Sequence, residues 1–343
     1  METVTITIDG QEVKARVGMT VLEAALAASI YIPNLCYDPD LKPYAGCRLC
    51  IVEIEGMRGL PASCTVTAAQ GMVVRTETPQ VDKARRTALE LLIADHAGDC
   101  LVCPRNRSCD LQRAAAHLGV TELRFPKTAR VIPPDASNPF FTRDLDKCVL
   151  CAKCVRTCDE VVNTRAIDLA FRGYASIVTT LWGKPLIESN CISCGECLVR
   201  CPTAALQLKQ TLPPTREVKT ICPYCGVGCS LYLGVRGNRV VGVRGDREGP
   251  ANQGLLCVKG RFGMDFIQDE RRLAKPLIRR HGKLTEASWD EALDLVAAKF
   301  ASYKGEAFAA IASAKATNED NYVIQKFTRV LMGTNNLDHC ARL

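Results

Sequence analysis

Two stretches decide how this chain is read: Cys148-Val-Leu-Cys151-Ala-Lys-Cys154-Val-Arg-Thr-Cys158 and Cys191-Ile-Ser-Cys194-Gly-Glu-Cys197-Leu-Val-Arg-Cys201, the latter followed by Pro202. Both have the spacing Cys-x2-Cys-x2-Cys-x3-Cys and form an internal repeat; Asp159 stands where a matching first run would carry Pro. Thiolates this close along one loop can turn toward a common centre. As soft ligands they select iron–sulfur clusters or zinc over calcium and magnesium. Eight thiolates in two tight runs would be an awkward zinc design, because a structural zinc takes four.

Three further groups flank the repeat. Upstream lie Cys36-x10-Cys47-x2-Cys50-x13-Cys64 and His96-x3-Cys100-x2-Cys103-x5-Cys109; downstream lies Cys222-x2-Cys225-x3-Cys229-x27-Cys257, with Gly226 and Gly228 tightening its first loop. Neutral imidazole is a competent metal ligand, so His96 joins its three cysteines. Zinc remains the alternative for each of these three sets, since four cysteines, or three cysteines and a histidine, also hold zinc. The five groups use 19 of the 20 cysteines and leave Cys340, read as a small buried residue. His117, His281 and His339 have no such cysteine motif around them and are read as surface or structural.

The rest of the composition is ordinary. The chain has 343 residues, a net charge of +7, 47% apolar and 24% charged residues. That excludes disorder and a collagen-like repeat, and it gives no reason to expect a nucleic-acid partner. Its N-terminus alternates like a strand and has no secretory pattern. The most apolar stretch, 21–35, is broken by Glu23 and Pro33 and is too short to span a bilayer. A cytoplasmic chain without membrane insertion is expected, and a reducing compartment favours metal thiolates over disulfides.

Local signals place the groups. Residues 4–16 predict a hairpin around Asp9-Gly10. Thr20 and Glu23 predict a capped helix from Val21 to about Ala28. Strands are expected at 51–54 and 72–76. A helix is expected from Val81 to His96, with Ala84, Ala88, Leu91 and Leu92 as its apolar stripe, and another from Asp110 to about Leu118. Residues 121–140, with Pro126, Pro133 and Pro134, read as a linker. Pro213-Pro214 reads as a second linker, leading to Cys222. Strands are expected at 231–235 and 239–243. Ser288 and Glu291 predict a capping box for a helix to about Tyr303. A buried strand at 308–312 and a helix from Glu319 to Met332, stopped by Gly333, complete the opening of an α/β domain.

These groups resemble known families. The double run resembles a two-cluster ferredoxin, in which the fourth Cys of each run ligates the other cluster. The resemblance implies one 4Fe–4S cluster on Cys148, Cys151, Cys154 and Cys201 and another on Cys191, Cys194, Cys197 and Cys158. The first group resembles the β-grasp 2Fe–2S ferredoxin domain of hydrogenases and respiratory complex I. The His96 group resembles the 4Fe–4S motif of one His and three Cys in complex I and iron-only hydrogenases. The Cys222 group resembles the N-terminal 4Fe–4S domain of molybdopterin oxidoreductases, where a Lys in the position of Lys259 lies between cluster and pterin; read without the family, Lys259 is a solvated lysine. Hydrogenase active-site cysteines are absent, and the complex I large iron–sulfur subunit lacks the tandem pair in this form.

The five groups together are similar to the catalytic subunit of cytoplasmic NAD(P)-linked formate dehydrogenase. So are Arg272-Leu-Ala-Lys-Pro-Leu-Ile-Arg-Arg280, Ser288-Trp-Asp-Glu-Ala292 and Gly333-Thr-Asn-Asn-Leu-Asp-His-Cys-Ala-Arg-Leu343. The resemblance implies an α+β multidomain chain. Its parts are a β-grasp 2Fe–2S domain (1–79), a helical His-ligated 4Fe–4S domain (80–120), a tandem 4Fe–4S ferredoxin (138–210), a small β-rich 4Fe–4S domain (215–271) and the incomplete start of an α/β molybdopterin domain (272–343). It further implies one 2Fe–2S and four 4Fe–4S clusters, a Mo- or W-bis(pterin guanine dinucleotide) in the full-length protein, and a flavin- and NAD(P)-binding iron–sulfur partner subunit. Electrons from formate would run from the Cys222 cluster to the ferredoxin pair, and on through the His96 and 2Fe–2S clusters to that partner. No nucleotide-binding or hydrolase motif is present. The family places a metal-ligating Cys or selenocysteine next after Leu343, so residue 344 is expected to be selenocysteine and the chain alone inactive on formate. A multi-cluster electron-transfer subunit with no catalytic site of its own is the alternative.

Overall fold

The computed structural model describes residues 2–127, 132–210, 212–314 and 316–340. They divide into two compact units, 1–209 and 210–343.

In the first unit, β1 (Thr3–Ile8) and β2 (Gln11–Arg16) form the expected hairpin. Asp9 and Gly10 both take positive φ (48° and 83°), as a type I′ turn requires. The Asp9 carboxylate accepts the N–H and hydroxyl of Thr76, which ties the turn to the end of the sheet. Helix α1 (Val21–Ala27) starts in a complete capping box: Thr20 Oγ1 accepts Glu23 N–H at 3.2 Å, and Glu23 Oε2 accepts Thr20 N–H at 2.7 Å. With β3 (Glu53–Ile54) and β4 (Val73–Arg75) the sheet runs β2-β1-β4-β3, with β1 and β4 parallel. The inward residues of the hairpin (Ile6, Ile8, Val13, Ala15) pack with Val21, Leu22, Ala24 and Ala25 of α1 into one core, which includes Cys50 and Cys64.

Helix α2 (Pro79–Ala94) is capped by Thr78. Its buried face runs through Val81, Arg85 and Leu89; of the stripe expected from Ala84, Ala88, Leu91 and Leu92, Ala88 and Leu92 pack against the core, whereas Leu91 is 52% exposed. The stripe is rotated because Arg85, 1% exposed, turns inward and donates from both Nε and Nη2 to the Ile51 carbonyl at 3.1 and 2.7 Å. Helix α3 (Asp110–His117) follows. Much of the expected linker is fixed: the Asp135 backbone pairs with Arg143, and its carboxylate accepts N–H groups of Ser137 and Leu186 and pairs with the Arg143 guanidinium. Residues 128–131 of that stretch lie outside the described residues.

The repeat is framed by β5 (Phe141–Arg143) and β8 (Leu206–Leu208), which pair antiparallel. Between them lie α4 (Lys153–Arg156), a hairpin of β6 (Asp168–Ala170) and β7 (Ile177–Thr179), and α5 (Glu196–Arg200).

In the second unit, β9 (Arg216–Ile221), β10 (Ser230–Arg236) and β11 (Arg239–Gly245) form an antiparallel sheet with β10 central. Helix α6 (Val258–Phe262) follows, then a hairpin of β12 (Leu277–Arg280) and β13 (Lys283–Glu286). Helix α7 (Trp289–Ala301) has half of the expected capping box. Ser288 accepts Glu291 N–H, while the Glu291 carboxylate turns to Arg280 instead. Strand β14 (Ala310–Ser313), helix α8 (Asn318–Lys326) and strand β15 (Leu337–Cys340) make a parallel β–α–β unit. The strand expected to be buried is not, with Ile311 79% exposed, and Cys340 is exposed rather than buried. Nothing among the described residues packs over that face of β14 and β15. Residues 341–343 of the family-like terminal stretch lie outside the described residues. No helix among the described residues is long and apolar enough to cross a membrane.

Candidate metal centres

Cys36, Cys47, Cys50 and Cys64 come together on the loops between α1, β3 and β4, each 6% exposed or less. Their thiols act on one another, Cys36 with Cys47 and Cys64, and Cys50 with Cys64. Leu35 N–H also donates to the Cys47 sulfur at 3.4 Å. The S–H groups of Cys47 and Cys64 hold the Cys36 thiol well below its ordinary range, and Cys64 together with its backbone brings Cys50 to about 7. Cys47 and Cys64, as donors in a dry site, are pushed up. Such a set loses protons as a unit, and binding a cation removes them all.

His96 follows the C-terminus of α2. It lines a cavity of about 100 Å³ with Cys100, Cys103, Cys109 and the apolar Ile93, Leu111 and Ala115. Its Nδ1 is buried without a hydrogen-bond partner. Burial lowers the imidazole pKa, against the pull of the Lys147 backbone, so the ring stays neutral and its lone pair is available. A cavity ringed by three sulfurs and an unpaired buried nitrogen fits a metal cluster.

The two runs fold as structural repeats. Leu150 and Ala152 take φ of 50° and 56° where Ser193 and Gly195 take 55° and 76°. Left-handed backbone at Leu150 and Ala152 costs roughly 1 kcal/mol each and curls the loop so that amides point inward. Leu150 N–H donates to the Cys148 sulfur and Ser193 N–H to the Cys191 sulfur, both at 3.4 Å, while Ala166 N–H reaches the Cys158 sulfur at 3.2 Å. Cys158 crosses over: with Cys191, Cys194 and Cys197 it lines a small cavity walled by Phe141, Ile167, Leu186 and Leu206. Burial pushes Cys151 up to about 12, and Cys201 and Cys148 repel its thiolate. Cys154 is raised well above its ordinary value by burial and by Cys151, Cys148, Cys197 and Cys201. Thiols raised this far ionise only when a cation compensates them.

In the second unit, Cys222 N–H donates to the Cys229 carbonyl at 2.8 Å, which closes the first loop, and Gly228 takes a φ of 64° there. Cys222 is buried and Cys257 exposed, and Cys225 and Cys257 both act on Cys222 and Cys229 electrostatically. The long gap to Cys257 is closed by residues the spacing does not single out. Ser230 N–H donates to Asn252 Oδ1 at 2.9 Å, and Asn252 Nδ2 donates to the Ser230 and Leu255 carbonyls at 3.0 Å. Ser230 Oγ donates to Asp246 at 2.8 Å. Tyr224, inside the motif, donates its hydroxyl to the Gly263 carbonyl just past α6. Lys259 on α6 is exposed. His117 stacks edge-on against Tyr31, with ring centroids 4.9 Å apart. His281 sits in the β12–β13 turn, and His339 lies in β15. Among the described residues no three His, Cys, Asp or Glu side chains are gathered closely enough to hold a single metal ion.

Known families match most of this chain. The pattern described as a 2Fe–2S iron–sulfur cluster binding domain covers residues 1–79, and the NADH-ubiquinone oxidoreductase-G iron–sulfur binding region covers 85–124. A 4Fe–4S binding domain covers 185–207, the molybdopterin oxidoreductase Fe4S4 domain 215–269, and molybdopterin oxidoreductase 272–343. The chain is 39% identical over 344 residues to a G-type NADH-quinone oxidoreductase subunit of Rhizobium meliloti, covering 98% of this chain and 40% of that protein. It is 35% identical over 349 residues to the NADPH-Fe(3+) oxidoreductase alpha subunit of Geobacter sulfurreducens, covering 99% of this chain and 40% of that one. It is 32% identical over 393 residues to YrhE of Bacillus subtilis, whose name marks a candidate formate dehydrogenase, covering 100% of this chain and 40% of YrhE. A crystal structure of NAD+-reducing [NiFe]-hydrogenase superposes with a TM-score of 0.56 at 34% identity, over 60% of this chain and 87% of that chain. The chain thus matches several iron–sulfur domains and, at 272–343, molybdopterin oxidoreductase. The chain belongs to the iron–sulfur molybdopterin oxidoreductase family, of formate dehydrogenase-like and G-type NADH-quinone oxidoreductase-like proteins. It spans about 40% of the length of the curated relatives it matches.

Proposed function

We propose that this chain is a multi-cluster electron relay of the complex I and hydrogenase type, passing electrons between partner redox sites. The proposed ligands are Cys36, Cys47, Cys50 and Cys64 for a 2Fe–2S cluster, and His96, Cys100, Cys103 and Cys109 for a 4Fe–4S cluster. Three more 4Fe–4S clusters would use the crossed sets Cys148, Cys151, Cys154, Cys201 and Cys191, Cys194, Cys197, Cys158, and Cys222, Cys225, Cys229, Cys257. Bound iron–sulfur clusters each take up and give back one electron. The protein's part is to fix them in dry cages and set their potentials. Apolar walls such as Phe141, Ile167 and Leu186 exclude water, and the N–H groups of Leu150, Ser193 and Ala166 stabilise added negative charge on sulfur.

The carrying observation is the placement of Cys158 among the cysteines of the other run. Metal analysis of anaerobically purified protein tests the reading: about eighteen irons per chain with matching acid-labile sulfide are expected. A colourless, zinc-loaded protein would refute it.

The second reading, a formate dehydrogenase catalytic subunit, is favoured by the molybdopterin oxidoreductase match at 272–343 and by the likeness to YrhE. In that reading the partner is a flavin- and NAD(P)-binding iron–sulfur subunit, and Lys259 lies between cluster and pterin. One exposed lysine does not make a pterin site, and the relay needs none. Formate-dependent reduction of a viologen dye by the full-length protein, with Mo or W in the preparation, would favour the second reading over the first.

A further inference from the structure

The gap between Cys36 and Cys47 is a loop held from outside its own domain. Arg156, on α4 between Cys154 and Cys158, donates from Nη2 to the Cys36 carbonyl at 2.5 Å and from Nη1 to the Lys42 carbonyl at 2.6 Å. Its guanidinium also lies over the Tyr44 ring, 5.0 Å from the centroid. One turn on, Glu160 accepts the Lys42 N–H at 2.8 Å. Arg200, buried on α5 between Cys197 and Cys201, pairs with Asp40 at 3.0 Å and with Glu196, and has Asp38 at 3.7 Å. Both helices of the repeat thus grip the 2Fe–2S loop. Cys36 and Cys47 share one apolar core with Val149 and Cys151 of the first run.

We propose that Arg156 is a positioning residue for the 2Fe–2S site. Acting through the Cys36 backbone, it fixes that ligand against α4 and raises the potential of the cluster held there. The inference rests on the 2Fe–2S assignment made above. Two donors of one planar fork span the Cys36 and Lys42 carbonyls, a geometry that a lysine ammonium, a point charge, cannot reproduce. Arg200 faces three carboxylates, so its charge is answered locally. Arg156 donates to carbonyls and lies over a ring; Glu160, one turn on, is bound to the Lys42 N–H instead, so more of the Arg156 charge is left to act on a neighbouring anion. An added electron at the Cys36 cage is stabilised by this fixed positive charge, and the low dielectric of the shared core lengthens its reach.

The test uses the full chain with its clusters, prepared anaerobically, and a redox titration followed by electron paramagnetic resonance. Arg156→Gln should lower the one-electron reduction equilibrium of the 2Fe–2S signal about tenfold, which is about 59 mV, and leave the signal of the Cys222 cluster in place. Arg156→Lys should recover part of the shift. Glu160→Gln removes a negative charge from the same grip while keeping an acceptor, and should leave the potential equal or higher. Equal downward shifts in Arg156→Gln and Glu160→Gln would mean mere loosening of the loop and overturn the proposal. So would an unchanged potential in Arg156→Gln with full cluster content. If Arg156→Gln fails to hold the cluster, Arg156→Lys decides: a wild-type potential there overturns the proposal, a lowered one supports it. Absence of any 2Fe–2S signal in the wild-type chain would instead defeat the assignment beneath it.

Discussion

The cage of Cys36, Cys47, Cys50 and Cys64 and the cage of Cys222, Cys225, Cys229 and Cys257 differ in what stands behind the sulfurs. The first backs onto a sheet and helix whose core holds 16 buried residues. The second backs onto a core of four, namely Cys222, Leu231, Leu256 and Met264. Burial of apolar area is the main source of folding free energy, so the first domain is expected to hold its cysteines together without metal and the second to need metal to close. The polar ties of Ser230, Asp246 and Asn252 substitute for missing core in the second. Metal-dependent folding is therefore expected in the small-core domains rather than evenly along the chain.

The largest effect should come from taking the cluster away. Cys225→Ser is expected to abolish one 4Fe–4S resonance, leave the 2Fe–2S resonance intact, and collapse amide protection across β9–β11. Retained protection there, or loss of the 2Fe–2S signal, would break the comparison. In the first domain Arg85→Met should cost about 2–3 kcal/mol, because the Ile51 carbonyl loses a charged donor in a dry site. A denaturant midpoint equal to wild type would show that the buried guanidinium contributes nothing.

A smaller, pH-dependent effect is expected at Asp135. Burial raises its pKa, but the N–H and hydroxyl of Ser137, the N–H of Leu186 and the Arg143 guanidinium outweigh it and leave it lowered. Its stabilising contribution is thus present above the ordinary carboxylate pKa and is lost as pH falls through the lowered value. Asp135→Asn should flatten the acid side of the stability profile; an unchanged profile would exclude Asp135 as a contributor. The smallest effect, about 1 kcal/mol, belongs to Thr20→Ala, which removes the α1 cap. Circular dichroism melts of the two proteins should separate accordingly, and coincident melts would show that α1 is held by its packing alone.

Features with a local chemical signature are legible in the sequence. The Asp9-Gly10 turn and the Thr20–Glu23 box each depend on residues a few positions apart, and both stand where the sequence places them. What escapes depends on partners far away in sequence. Arg85 reads as a surface charge until the Ile51 carbonyl is opposite it, and its burial rotates the stripe of α2. Strand β9 hides in the approach to Cys222 because its first four residues are exposed and no apolar face announces it. Asn252 and Arg156 look like ordinary loop and helix residues. Only the fold reveals that one closes a long gap and the other grips a neighbouring domain. Cys340 and Ile311 read as buried because they are apolar, but burial needs a covering layer, and none lies over them among the described residues.

The crossing of Cys158 into the other run imposes an order in time. A ribosome that has delivered Cys158 must still add 39 residues before Cys197 completes the set to which Cys158 belongs, and four more before Cys201 completes the other. At roughly 5–20 residues per second, that leaves a few seconds in which neither set of four is complete. During that interval four thiols of the repeat, rising to six, wait, open to oxidation and to wrong pairing. With the crossed ligand sets proposed above, neither cage can be finished early; the two are completed four residues apart.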